Sequence, residues 1–224
     1  MTNPIYVALD TPDLARARAL ATAVRPHVGG LKLGLEFFTA NGPAGVKALA
    51  DLGLSVFLDL KLHDIPNTVG QTVAALAPLS PAMLTVHASG GAAMLAAAKA
   101  AAPATTRIIA VTVLTSLDDD DLAAAGIADG AAAQVVRLAS MTRAAGCDGV
   151  VCSPHEVQAV QALWPAGLRI VPGVRPTGSA AGDQKRVMTP TEALAAGATI
   201  LVIGRPITAA SDPAEAARAI VASL

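Results

Sequence analysis

The residues best equipped for chemistry stand in one stretch, Phe57-Leu-Asp-Leu-Lys-Leu-His-Asp-Ile-Pro-Asn-Thr68. Side chains on a strand alternate between two faces, so Ser55, Phe57, Asp59 and Lys61 share one face and Val56, Leu58, Leu60 and Leu62 the other. Asp59 and Lys61 therefore form an acid–base pair at the end of an otherwise apolar strand, with Asp64 close behind. Such charges are costly to bury unless each has a partner. The ordinary reading is a solvated ion-pair cluster at a strand end. Asp10 and Lys32 close two earlier apolar runs in the same way, which moves the balance toward a charged site. Pro66 disfavours the α conformation at Ile65 and can itself open a helix, so the stretch reads as strand, charged rim, turn, helix.

The elements that position these groups follow from composition and periodicity. The chain has 224 residues and a formal charge of −1, with 15% charged and 2% aromatic residues. Its core must therefore be built from Ala, Val, Leu and Ile. A near-neutral balance points away from nucleic acid and anionic membrane surfaces as partners. No basic N-terminal region with an apolar run suggests a secretory signal, and no run approaches the roughly 20 apolar residues that span a bilayer. The cysteines, Cys147 and Cys152, lie on one strand and its approach, which argues for reduced thiols and a cytoplasmic protein. Cys152 stands near a strand end, but no His or Asp is placed to activate it, so a buried inert thiol is the reading preferred.

Eight apolar runs read as strands: residues 5–9, 31–34, 55–61, 83–87, 107–114, 148–152, 168–171 and 199–203. Helical spacing lies between them. Thr11 is the expected cap of the first helix, with Pro12 at its first position. Further helices are expected at 43–52, from Pro66 through Val69, Val73 and Leu76, after Ser89-Gly90-Gly91, at 130–145, along Val157, Val160 and Leu163, at 192–196, and from Pro213 onward with Ser211 or Asp212 as cap. Strands recur about every 25 to 30 residues with no linker between them, which predicts an α/β chain folded as a single-domain (β/α)8 TIM barrel over residues 1–224. A doubly wound open sheet is the alternative. It would favour a glycine-rich turn after the first strand, where Asp10-Thr-Pro stands instead.

In such barrels chemistry lies at the C-terminal strand ends. In order these are Asp10, Lys32, Asp59 with Lys61, His87, Thr115 with Ser116, Ser153, the loop after Val171, and Gly204-Arg205. Two lysines and two aspartates exceed what a barrel mouth needs for stability. Gly204-Arg205 after the eighth strand suits a phosphate, since glycine bares its N–H and arginine offers a bidentate fork; it also suits a plain rim charge. Asp118 to Asp121 read as acids at a helix start, because four consecutive carboxylates cannot converge on one metal ion.

Taken together, these residues resemble the orotidine 5'-phosphate decarboxylase family. The resemblance rests on Asp59-Leu-Lys-Leu-His-Asp-Ile-Pro-Asn-Thr68, with Asp10, Lys32, Leu-Thr-Ser at 114–116 and Val171-Pro-Gly-Val-Arg175. Gly182-Asp-Gln-Lys-Arg186, Thr189-Pro190 and Ile203-Gly-Arg-Pro206 complete it, in the family's order over almost the whole chain. It implies decarboxylation of orotidine 5'-monophosphate to uridine 5'-monophosphate, the last step of de novo pyrimidine nucleotide synthesis, without a cofactor. It makes Lys61 the fixed ammonium and proton donor at C6, and places Asp59 near the departing carboxylate. Asp59 and Asp64 would hold the lysines charged and oriented. Asp10 and Lys32 would meet the ribose hydroxyls, with Lys32 joining the charged array; Thr115 and Ser116 would face the pyrimidine edge. Pro172, Arg175, Gln184, Gly204 and Arg205 would surround the phosphate, and residues 175–187 would close as a lid. Asp64 and Thr68 would reach into a neighbouring subunit's site, so a homodimer is implied. His63 and His87 are expected to be bystanders, His87 held by a hydrogen bond.

Two rival readings exist. A related barrel uses a similar Asp-x-Lys-x-x-Asp pattern with Mg2+ on sugar phosphates, as decarboxylase or aldolase; it would place an acid on the second strand, where this chain has Lys32, with Glu36 a poor substitute. A non-catalytic phosphate-binding barrel would have no use for an array of charges that costs free energy to desolvate.

Overall fold

The computed structural model describes residues 3–176 and 188–224. Strand and helix alternate along the chain. The first half runs β1 (Ile5–Ala8), α1 (Leu14–Val24), β2 (Gly30–Gly34), α2 (Leu35–Ala50), β3 (Ser55–Leu62), α3 (Pro66–Leu76), β4 (Met83–His87), α4 (Ala92–Ala101) and β5 (Arg107–Val111). The second half runs α5 (Asp119–Ala124), α6 (Gly130–Ala144), β6 (Gly149–Val151), α7 (Val157–Leu163), β7 (Leu168–Pro172), α8 (Pro190–Ala195), β8 (Ile200–Ile203), α9 (Arg205–Thr208) and α10 (Pro213–Ala222). All eight strands are parallel and pair in chain order, and β8 returns to β1 through Tyr6 opposite Val202, so the sheet is a closed barrel. The expected (β/α)8 architecture is the one observed, and the open sheet is excluded by that closing pair.

Alternation along each strand builds two apolar layers. Outward residues such as Val7, Leu31, Leu58 and Ile108 pack under the helices in the larger core. Inward residues Phe57, Met83, Ile109 and Ile170 fill the barrel with help from Tyr6 and Val202. Tyr6 meets Phe57 edge to face at 6.5 Å and donates its hydroxyl to Ser55 Oγ at 3.0 Å. Gly30 makes room for this plug, since a Cβ there would run into the Tyr6 ring. The barrel interior is thus filled by side chains.

Several boundaries differ from those expected. Asp13, not Thr11, caps α1, accepting from Ala15 and Arg16 N–H; Thr11 supports it by accepting from Asp13 N–H at 3.3 Å. The second helix starts at Leu35 rather than near Pro43, because Gly42 takes φ +57° and joins two helical segments across a kink, with Pro43 opening the second. β5 stops at Val111, three residues short of the expected end. Pro66 does open α3, behind an extended Ile65, and Asp212 rather than Ser211 caps α10. The acidic run has its expected helix-start role: Asp118 caps α5 and exchanges side-chain bonds with Asp121. Among the described residues, no helix is long and apolar enough to cross a membrane.

Candidate active site

The site grows from the upper end of β3. Lys61 has φ +50°, a left-handed conformation uncommon for a residue with a side chain. At the same point the pairing between β3 and β4 slips. Leu58 stands opposite Leu84, but Leu62 stands opposite Val86, so β3 spends two extra residues on the span. Such irregularities re-aim side chains at barrel rims. Here the slip keeps Asp59 and Lys61 together over the barrel mouth.

Around them the charges alternate. Lys61 Nζ lies 2.7 Å from Asp59 Oδ2, and Lys32 Nζ lies 3.9 Å from that same oxygen. Lys32 Nζ in turn donates to Asp10 Oδ1 at 2.7 Å. The row Asp10–Lys32–Asp59–Lys61 therefore crosses β1, β2 and β3 with each cation between or beside anions. Lys32 is the most enclosed member, its side chain 10% exposed, and two carboxylates offset the loss of water around its ammonium. Gly34 leaves that pair its space: a Cβ there would stand 2.9 Å from Lys32 Nζ and 3.2 Å from Asp10 Oδ1.

Below the row sits Thr85, fully buried on β4 and facing inward. Its Oγ1 accepts from Lys61 N–H at 2.8 Å and donates to Asp59 Oδ1 at 2.9 Å. Reading strand ends alone missed Thr85, because it lies two residues short of its strand's end. A polar residue alternating with Met83 and His87 on the inward face was the signal available.

The row borders a cavity of about 420 Å³ at the C-terminal end. Phe57, Val111, Val151, Ile170 and Val202 form its apolar floor, and Thr115, Pro172, Arg175, Gly204 and Arg205 stand on the side across from the lysines. Arg175 N–H is tied to Met188 O at 2.9 Å, and Gly204 O accepts from Ile207 and Thr208 N–H as α9 begins. The cavity thus has a charged wall, an apolar floor and a cationic rim.

Of the residues expected in the site, Asp10, Lys32, Asp59, Lys61, Thr115, Pro172, Arg175, Gly204 and Arg205 meet around this cavity. Ser116 is exposed and does not line it. Asp64 and Thr68 are exposed on the turn and helix start beyond β3, outside the row; Asp64 Oδ1 accepts from Ile65 N–H at 2.6 Å. Gln184 and most of the expected lid, residues 177–187, lie outside the described residues. Ser153 instead accepts from His155 N–H and starts a turn. His87 lies against His63, with ring centroids 5.5 Å apart and the planes tilted by 36°. Burial, then the neighbouring His63 and Lys61, pushes the His87 imidazole below its ordinary pKa, which favours its neutral form. Cys147 is buried with its thiol pushed up to about 12, chiefly by desolvation and then by Asp148, so it is a poor nucleophile.

Comparison with known proteins places the chain among sequence relatives of one family. Residues 3–220 match the family model for orotidine 5'-phosphate decarboxylase / HUMPS. The chain is 61% identical over 224 residues to the orotidine 5'-phosphate decarboxylase of Sphingopyxis alaskensis, covering all of both chains. It is 56% identical to that of Novosphingobium aromaticivorans, again over the full length of both. Its fold superimposes on the crystal structure of orotidine 5'-phosphate decarboxylase from Lactobacillus acidophilus with a TM-score of 0.85 and 39% identity, covering 97% of each chain. The chain belongs to the orotidine 5'-phosphate decarboxylase / HUMPS family.

Proposed function

We propose that the protein decarboxylates orotidine 5'-monophosphate to uridine 5'-monophosphate, with Lys61 as the acid. The observation that carries this reading is the alternating row Asp10–Lys32–Asp59–Lys61 set against an apolar floor and a cationic rim. The C6–carboxylate bond breaks, its electron pair stays on C6, and CO2 leaves. That carbanion is the costly species, so only groups that favour it over the bound substrate accelerate the reaction. The Lys61 ammonium, fixed by Asp59, sits in advance where negative charge develops. It then gives its proton to C6, and solvent restores it. No electron acceptor enters this balance. Asp59 faces the departing carboxylate and holds Lys61 charged. Asp10 and Lys32 take the ribose hydroxyls, Thr115 the pyrimidine edge, and Pro172, Arg175, Gln184, Gly204 and Arg205 the phosphate.

Within the same family, the Mg2+-dependent sugar-phosphate activity is the rival. The curated relatives named above are decarboxylases of orotidine 5'-phosphate, and the second strand offers Lys32 rather than an acid. Adding purified protein to orotidine 5'-monophosphate with EDTA present should bleach the orotate absorbance. Absence of turnover by the folded protein would overturn the reading and send the search to sugar phosphates with Mg2+.

The active unit in this reading is a homodimer in the cytoplasm. Residues 63–68 are exposed on the turn and helix start after β3, and Ile65 is an apolar side chain 66% exposed among the described residues. A second copy seated there would bring Asp64 and Thr68 to the neighbouring site.

Phosphate binding is remote from C6, and its energy is available to close the site and exclude water. Replacing Arg205 by alanine is expected to lower kcat/KM by roughly 10²- to 10³-fold, the worth of a bidentate charged contact. Arg205 is exposed at the start of α9, so the fold should survive, as circular dichroism and thermal melting would verify. A loss of only twofold would remove Arg205 from the phosphate site.

A further inference from the structure

We propose that Thr85 is a positioning residue for decarboxylation, its buried hydroxyl joining the Lys61 backbone to the Asp59 carboxylate. The inference rests on the reading of Asp59 and Lys61 given above. Thr85 does not line the cavity, so it acts through these two residues and not on the substrate.

The donor and acceptor inventory leaves its hydroxyl one arrangement. Where β3 slips past β4, Lys61 N–H has no carbonyl opposite it in register, and Thr85 Oγ1 takes the carbonyl's place at 2.8 Å. A backbone N–H can only donate, so the oxygen must accept there. Its single proton is then directed to Asp59 Oδ1 at 2.9 Å, and an ionised carboxylate can only accept. The two oxygens of Asp59 are thereby divided: Oδ1 is held from below by Thr85, and Oδ2 faces Lys61 Nζ at 2.7 Å and Lys32 Nζ at 3.9 Å. The carboxylate cannot rotate without losing one set of bonds.

The same oxygen also supports an unfavourable backbone. A left-handed conformation costs a lysine about 1 to 2 kcal/mol and persists only where its surroundings over-determine it. The bond to Lys61 N–H supplies that determination at the residue that must aim its ammonium at C6. One hydroxyl thus fixes the acid at its backbone and the acid's counter-ion at its carboxylate. Serine would keep both bonds. Valine has nearly the same shape and keeps neither.

The test compares Thr85→Val, Thr85→Ser and wild type on orotidine 5'-monophosphate, with uridine 5'-monophosphate affinity measured by calorimetry alongside. For Thr85→Val, kcat is expected to fall about ten- to a hundredfold, the range of one hydrogen bond to a charged group. Its KM and its affinity for the product should stay within about threefold, because the nucleotide contacts are elsewhere. Thr85→Ser should recover kcat to within about threefold of wild type. A merely structural role would lower the melting temperature without this split between kcat and product affinity. Should Thr85→Val fail to fold, Thr85→Cys, close in size with a weak sulfur donor, replaces it and is read the same way. The proposal is overturned by an unimpaired kcat in the valine or cysteine variant, by a serine variant as slow as either, or by equal losses in kcat and product affinity. Inactive wild type would overturn the functional reading and this inference with it; active wild type beside an unimpaired variant would overturn the inference alone.

Discussion

Replacing Lys61 by alanine is expected to lower kcat by at least about 10⁴-fold, more than any other single change at the site. Two contributions combine. A unit charge pair about 4 Å apart at an effective dielectric near 20 is worth about 4 kcal/mol, close to a thousandfold in rate. Delivery of the proton by a positioned acid adds about 10²- to 10⁴-fold. In the proposed mechanism one ammonium supplies both, so they do not multiply in full, and 10⁴ is a floor. The fold should tolerate the change. Asp59 loses the partner at 2.7 Å but keeps Thr85 at 2.9 Å and faces Lys32 at 3.9 Å, and the Lys61 side chain is 30% exposed. The measurement is loss of the orotate chromophore, with product affinity and melting temperature as controls. A loss below tenfold in a folded variant would take the proton donor's role away from Lys61.

The second large effect is a gain. Lys61→Ala and Asp64→Ala proteins should each be nearly inactive, and mixing them under conditions of subunit exchange should restore about a quarter of wild-type activity. In the proposed twofold homodimer, random exchange would make about half the dimers mixed, and each mixed dimer would have one site with both residues intact. From two nearly inactive parents the gain would exceed about a hundredfold. The geometry that motivates the experiment is the position of Asp64, which bonds to its own chain's Ile65 N–H and stands outside the row of charges formed by Asp10, Lys32, Asp59 and Lys61. A mixture that exchanges subunits and stays inactive would confine each site to one chain. An Asp64→Ala protein with near-normal activity would remove Asp64 from the site altogether.

The fold was legible because its signals are local. Short β-branched runs alternating with helical periodicity identify eight βα units without any long-range information. The same locality explains the errors. The kink at Gly42 joins two helical segments that a periodicity reading separates. Asp13 rather than Thr11 caps α1: both side chains can serve, and it is Asp13 that accepts the first helical N–H bonds while Thr11 accepts from Asp13 N–H. The apolar run through Leu114 reads as strand, yet β5 ends at Val111 and the chain turns away to carry Thr115 over the cavity.

The candidate site divides along the same line. The sequence by itself determined which charged residues stand at strand ends and, through alternation, that Asp59 and Lys61 share a face. Tertiary structure alone decided which of those charges meet. Asp10 and Lys32 are 22 positions apart and touch at 2.7 Å because β1 and β2 pair in a register that sets Ala8 opposite Lys32. Thr85 lies 26 positions from Asp59 and reaches it because the slip between β3 and β4 leaves a backbone N–H for its hydroxyl to satisfy. Asp64, only three residues beyond Lys61, is nevertheless outside the row, since the chain turns outward after β3. Composition and alternation are properties of neighbouring residues; distances between strand ends are set by register and barrel closure, which no short stretch of chain contains.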